Sequence, residues 1–153
     1  MPDAWVIRPA TTIDATALAH IHAACFAEAW SAAEVAEWLA IPSVVTVAAF
    51  ESKTATGFVL AQAVADQAEI LTFALHPDRQ RQGIGRALLD TLELELSGRG
   101  THSLYLDVAE DNIAALALYR NAGFAEATRR RNYYVRQFGS TDAIVMVKSL
   151  GID

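Results

Sequence analysis

The sequence predicts an α/β domain of six to seven strands and about four helices, and three observations predict it. Short β-branched and apolar runs alternate with longer segments of helical period. Two of the helical segments open on a Thr-x-x-Asp or Ser-x-x-Glu cap. A strand in EILTFALHPDRQRQGIGRALL, residues 69–89, runs through a turn into glycines at the mouth of a helix. With 153 residues, 53% hydrophobic and 20% charged, the chain suits one globular domain spanning 1–153 with one sizeable core.

Trp5–Arg8 is a short strand, and Thr11–Asp14 caps a helix carrying Leu18, Ile21 and Cys25. Ser31–Glu34 opens a second helix with Val35, Trp38 and Leu39, which Pro42 stops; the pair is expected to form a flap over one edge. Val44–Phe50 and Gly57–Val64, separated by polar residues, predict an antiparallel hairpin, and Glu69–Leu75 the next strand. Ile84, Leu88, Leu92 and Leu96 form the apolar stripe of a surface helix that Gly98 and Gly100 end. Ser103–Val108 alternates so that Asp107 faces away from the layer of Leu104, Leu106 and Val108. Asp111 and Asn112 cap a helix with Ala115, Leu118, Tyr119 and Ala122 on one face, and Gly123 ends it. Strands near Ala127–Val135 and Ala143–Lys148 close the chain.

A net charge of −6 argues against a general nucleic-acid surface, which needs a broad basic field, and makes a basic peptide or amine the easier partner. Cys25 is the single cysteine, has no internal disulfide partner and suits a small buried position in a reducing, cytoplasmic setting. No run approaches the roughly 18 apolar residues needed to span a bilayer, and the N-terminus lacks a signal pattern, so a soluble protein away from membranes is expected. His20 and His22 point to different helix faces while His76 and His102 stand alone, so no metal site is expected.

Glycines at 83 and 85 let backbone amides approach a ligand at the positive end of a helix. No Gly-Lys-Ser/Thr follows, and Leu88 stands where a dinucleotide fingerprint has its third glycine. Arg79, Arg81 and Arg86 stand here without an acid from Arg79 to Leu89, in a chain that is acidic overall. The turn is therefore read as an anion cradle.

The pattern Gln80-Arg-Gln-Gly-Ile-Gly85 after an apolar strand resembles the acetyl-coenzyme A pyrophosphate loop of the GNAT N-acetyltransferase superfamily. The order of elements is similar to that fold from end to end. Within it, Asp78–Leu89, Asp111-Asn112, Leu118-Tyr119 with Gly123-Phe124, and Arg130-Arg-Asn-Tyr-Tyr134 resemble the RimI type, which acetylates N-terminal alanine on ribosomal proteins. The resemblance implies a mixed, mostly antiparallel sheet, acetyl-coenzyme A as cosubstrate without a metal, and a protein N-terminus, that of a ribosomal protein beginning with alanine, as acceptor. It implies coenzyme contacts at Arg81, Gln82, Gly83, Ile84, Gly85, Arg86 and Asn112, and free strand amides at Phe73, Ala74 and Leu75 to meet the thioester.

Acetyl transfer to an amine needs a base, a site for the oxyanion and a proton for the departing thiolate. The RimI type has its base as a glutamate at the position of Asp107, so this chain departs from the pattern by one methylene and a bridging water enters the expectation. Glu69 is the competing base, because other members of the superfamily carry one on the strand before the loop. Tyr119 resembles the residue that protonates the thiolate, a feasible transfer for a phenol near about 10 and a thiol near about 8.5. Trp30, followed by Ser31, resembles the substrate-side pair, with Ala29 in place of the usual proline; Tyr133 and Tyr134 are candidates to line a peptide slot. The run Arg129–Arg131 reads as a solvated face. A small-molecule amine or a lysine as acceptor, and a non-catalytic acyl-coenzyme A binding module, are the alternatives.

Overall fold

The computed structural model describes residues 5–80 and 83–151. Among these, seven strands form one sheet: β1 (Trp5–Pro9), β2 (Val44–Glu51), β3 (Thr54–Val64), β4 (Gln67–Leu75), β5 (Ser103–Ala109), β6 (Ala125–Arg136) and β7 (Gly139–Ser149). Four helices accompany it: α1 (Ala15–Cys25), α2 (Ala32–Leu39), α3 (Ile84–Gly98) and α4 (Ile113–Asn121). The strand order is β1-β2-β3-β4-β5-β7-β6. Only β4 and β5 run parallel; a parallel pair needs a long crossover, and α3 supplies it. No helix of the described residues is long and apolar enough to cross a membrane.

The caps read from the sequence form. Ser31 Oγ accepts the Glu34 amide at 3.1 Å while the Glu34 carboxylate accepts the Ser31 amide at 2.9 Å, which fixes the start of α2. At the first cap Asp14 accepts the Thr11 amide at 2.9 Å and two guanidinium bonds from Arg8 at 3.0 Å. The Arg8 hydrogen bonds are the largest cause holding the Asp14 carboxyl below its ordinary pKa. The intervening turn, Thr12–Asp14, is 3-10, so α1 begins at Ala15.

The sheet separates two cores. Ile84, Leu88, Leu92 and Leu96 of α3 are fully buried on one face with Leu104 and Leu106. Leu18 and Ile21 of α1 and Val35 of α2 are buried on the other with Phe58 and Leu60. Full burial of each such side chain contributes about 1.5–3 kcal/mol, which is why α1 and α2 lie across a sheet face rather than forming the edge flap expected from their sequence.

Two departures from regular pairing shape the middle of the sheet. β4 and β5 keep register only over Gln67–Glu69 against Ser103–Tyr105, although both strands run on. β3 holds β4 through Leu75, and β7 holds β5 through Ala109, so only the facing edges part. In β4, Thr72 pairs with Leu60 but Ile70 with Ala61, leaving Leu71 as an extra residue. Such a bulge bends the strand and shifts its side-chain alternation by one. Ala68 and Ile70 belong to the α3 side, and so, beyond the bulge, do Phe73 and Leu75; Leu71 and Ala74 pack on the α1 side.

Candidate active site

On the α3 side of the gap lies a cavity of about 640 Å³. Its mouth is the start of α3. Gly83 is the N-cap, in the left-handed region at φ +85°, and offers no side-chain cap, so the first-turn amides of the helix stay uncommitted. Gly85 lines the cavity: a Cβ here would lie 3.4 Å from Leu118 and 3.7 Å from Phe73, filling space at the narrow point between α3 and α4. Arg86 lines it too, bonded to Asp90 at 3.1 Å and to the Asn121 carbonyl at 3.1 Å. The Ile84 side chain is fully buried and does not line the cavity. Arg81 and Gln82 lie outside the described residues.

The strand wall of this cavity is Phe73 and Leu75. The His76 amide donates to the Thr56 carbonyl at 2.8 Å, toward β3. Backbone groups alternate sides along a strand, so the Ala74 amide also points to β3 and those of Phe73 and Leu75 point into the gap. The Cys25 thiol donates to the Leu75 carbonyl at 3.2 Å from that open side. Cys25 is thus half-buried against the cavity rather than sealed in a core, and burial raises its thiol pKa.

Tyr119 and Asn112 bring α4 to the same cavity. Asn112 is the N-cap, its side chain accepting the Ala115 amide at 3.2 Å. Tyr119 is buried, with its ring 6.2 Å from that of Phe73 and 5.7 Å from Phe124. Among the described residues its hydroxyl makes no hydrogen bond, and burial, with a smaller contribution from Tyr134, pushes its pKa far above that of an ordinary phenol. Gln80, Leu118 and Phe26 complete the wall. A donor-rich mouth, an apolar throat and free strand amides fit a phosphorylated cosubstrate with an extended arm ending in a carbonyl.

A second cavity, about 310 Å³, opens on the other face of the sheet. Both base candidates line it: Glu69 at the last paired position of β4, opposite Tyr105, and Asp107 two residues further along β5. They share it because each alternates with residues of the α3 core, Ala68 and Ile70 for one, Leu106 and Val108 for the other. Arg130, Gln62 and Gln67 are also on its wall.

The β6–β7 hairpin contributes Arg130 and Val145 to the wall of the second cavity. Tyr134 is half-buried; burial first, then Asp107 and Tyr133, raise its pKa, with Arg136 and Arg130 opposing. Tyr134 itself lines neither cavity. Tyr133 is exposed, edge-on to Tyr134 with centroids 5.1 Å apart. Trp30 is not brought here: it stacks on His22 at 4.8 Å and on Trp38 at 5.6 Å, and lines neither cavity. The arginines of the run are exposed, as expected, and within that face Arg129 bonds Glu110 and pairs with Asp142, while Arg130 reaches the wall of the second cavity. Cys25, Gln80, Leu118 and Arg130 line these cavities although sequence reasoning gives none of them a role in the site. For Arg130 the signal was its place at the start of the Arg-Arg-Asn-Tyr-Tyr run.

Comparison with known proteins places this geometry. The protein is 52% identical over 89 residues to the [ribosomal protein bS18]-alanine N-acetyltransferase of Escherichia coli, a match covering 58% of this chain and 60% of that relative's length. It is 35% identical over 147 residues to the N-alpha-acetyltransferase RimI of Mycobacterium tuberculosis, covering 92% of this chain and 90% of the other. The crystal structure of the Escherichia coli ribosomal-protein-S18-alanine N-acetyltransferase superposes with a TM-score of 0.89 at 37% identity, covering 98% of this chain and 96% of that one. The profile of the acetyltransferase (GNAT) family matches residues 15–124, from the first residue of α1 to Phe124 just after α4, and thus takes in the gap and both its walls. The chain belongs to the acetyltransferase (GNAT) family.

Proposed function

We propose that this protein transfers the acetyl group of acetyl-coenzyme A to the N-terminal α-amino group of a protein, a ribosomal protein beginning with alanine. One observation carries the reading. Where β4 and β5 part, a cavity with an anion-ready helix start lies along the far end of β4, and a second cavity holding two carboxylates opens at the last paired position. The names of the Escherichia coli and Mycobacterium tuberculosis relatives support the α-amino acceptor.

Gly83, Gly85 and Arg86, with Arg81 and Gln82 of the same sequence motif, receive the pyrophosphate, and Asn112 and Leu118 flank the arm. Phe73 and Leu75 donate their amides to the thioester oxygen as it gains charge, a preorganised arrangement that needs no movement at the moment of reaction. Asp107, or Glu69 beside it, takes the proton from the α-ammonium, whose pKa of about 7.7–8.0 requires only a modest base. The Asp107 carboxylate is one methylene shorter than glutamate and acts through a water. The shortened reach is also what leaves room for Glu69 to share the work.

Tyr119 meets the departing sulfur. Burial makes its phenol a weaker acid than one in water. It therefore stays protonated and serves as a hydrogen-bond donor that stabilises the developing thiolate as the C–S bond opens. The cytoplasm, where ribosomal proteins are made, is the proposed location.

Coenzyme A release is the test. Peptides sharing one ribosomal N-terminus but beginning with alanine, serine or acetylated alanine are compared with polyamines and free amino acids. The alanine and serine peptides are expected to react and the blocked peptide to be inert; a preference for polyamines would replace the α-amino reading with a small-amine one.

A further inference from the structure

We propose that Arg130 reads the carbonyl group next to the acceptor amine, and so selects the α-amino group of a peptide over an isolated amine. The inference rests on the α-amino reading above and adds to it the residue that enforces it.

Register between β6 and β7 breaks between Arg130 and Tyr134, leaving Arg131, Asn132 and Tyr133 as an unpaired bulge. At its centre Asn132 has φ +55°, a left-handed conformation that few non-glycine residues adopt. Two hydrogen bonds hold it there: its amide donates to Asp142 at 2.9 Å, and the Ser140 hydroxyl donates to its side-chain oxygen at 2.8 Å. This pinned bulge adjoins Arg130, whose side chain lies on the wall of the second cavity beside Glu69 and Asp107.

The half-exposed guanidinium stands in ion-pair range of Asp107 and over the Tyr133 ring but makes no hydrogen bond there among the described residues. Its Nη1 is 4.0 Å from Asp107 Oδ2, beyond hydrogen-bond range, and its carbon stands 5.3 Å from the Tyr133 ring centroid. Among the described residues Arg130 donates no hydrogen bond, whereas Arg8, Arg86, Arg129 and Arg136 each bond a carboxylate. A donor fork with no hydrogen bond in a cavity with two carboxylates awaits an acceptor that arrives with the ligand.

A peptide N-terminus supplies one. Its amine nitrogen and first carbonyl oxygen lie roughly 3 Å apart. A carboxylate and a guanidinium 4.0 Å apart match that pair, the first receiving an amine N–H and the second donating to the carbonyl. A lysine side chain or a polyamine has only methylenes in the second place, so for it Arg130 adds a like charge with no hydrogen bond in return.

The test compares alaninamide with isopropylamine, in which a methyl replaces the carboxamide, using wild type, Arg130→Met and Arg130→Lys. Taking the variant-to-wild-type ratio of kcat/KM within each acceptor removes the difference in amine basicity. Arg130→Met is expected to lower the ratio for alaninamide about 10- to 100-fold, the loss of one charge-assisted hydrogen bond, with no fall for isopropylamine. Calorimetric affinity of alaninamide for the protein saturated with coenzyme A falls in parallel, and Arg130→Lys recovers part of both. Equal losses on the two acceptors, or none on alaninamide, overturn the role of Arg130 while leaving the α-amino reading intact. A wild type that acetylates isopropylamine but no α-amino acceptor overturns that reading and this inference with it.

Discussion

Glu69 stands opposite Tyr105 as the last matched pair of the parallel ladder, and from that point β4 and β5 separate. The backbone of Glu69 is therefore fixed where the gap begins, while Asp107 lies further along its far wall.

This arrangement separates the two base candidates. Asp107→Asn is expected to lower kcat about 100-fold and to flatten the acidic limb of the pH-rate profile, as removal of a general base does. Glu69→Gln is expected to raise KM for the acceptor with a smaller effect on kcat. The reverse pattern assigns the base to Glu69, and unchanged profiles in both assign the deprotonation to water alone.

Tyr119→Phe removes a hydroxyl on the wall of the cavity at the start of α3 that has no hydrogen-bond partner among the described residues. Turnover is expected to fall at least about 100-fold with coenzyme A affinity nearly unchanged in a titration. Since burial raises the phenol pKa, wild-type activity should show no alkaline loss from ionisation of Tyr119 up to about pH 10, the ordinary phenol value. Near-normal turnover of the variant would remove Tyr119 from this role.

His22 sets the pH response of stability. Its Nδ1 accepts the Trp30 amide at 3.0 Å, which requires a neutral nitrogen, and its ring is packed by Phe26 and Trp30. Burial lowers its pKa, against a smaller opposing effect of Glu34. With the folded value below the unfolded one, the unfolded chain binds the proton first. The stabilisation is full above about pH 6.5 and is lost as pH falls through the depressed folded value. Urea midpoints are expected to drop between pH 7 and pH 5.5 in wild type and to drop less in His22→Gln; an equal drop would assign the effect elsewhere.

Gly83→Ala tests the helix start. No atom lies within 4 Å of a Cβ there, so the substitution acts through backbone conformation alone at φ +85°. A cost of about 1–2 kcal/mol in stability is expected from the left-handed region, seen in chemical denaturation, together with weaker coenzyme A binding. Unchanged coenzyme affinity would show that the geometry of Gly83 is not part of the cradle.

Much of this was legible in the chain. The helix caps at Ser31 and Asn112, the stripe from Ile84 to Leu96, and the outward direction of Asp107 follow from local chemistry and period, and each forms as read. Trp30 shows the limit of local pattern: a tryptophan beside a helix cap is equally compatible with a ligand wall and with an aromatic stack, and the position of His22 and Trp38 decided for the stack. Arg130 was hidden for a related reason, since three consecutive arginines on a strand alternate between faces and the bulge at Asn132 adds a shift that no residue pattern displays.

The sequence by itself determined the order of strands and helices and the caps at Ser31 and Asn112, because caps, glycines and apolar period act over a few residues. The tertiary structure alone decided the gap and the facing of its walls. β4 meets β5 across more than a helix of intervening chain, and the pairing stops at Glu69 because β3 and β7 hold the two strands on diverging courses. The bulge at Leu71 then reverses the alternation, so that Phe73 and Leu75 rather than Thr72 and Ala74 face the α3 cavity. Register is a property of strands in contact, and its slip by one residue exchanges every side chain between the two faces of the sheet.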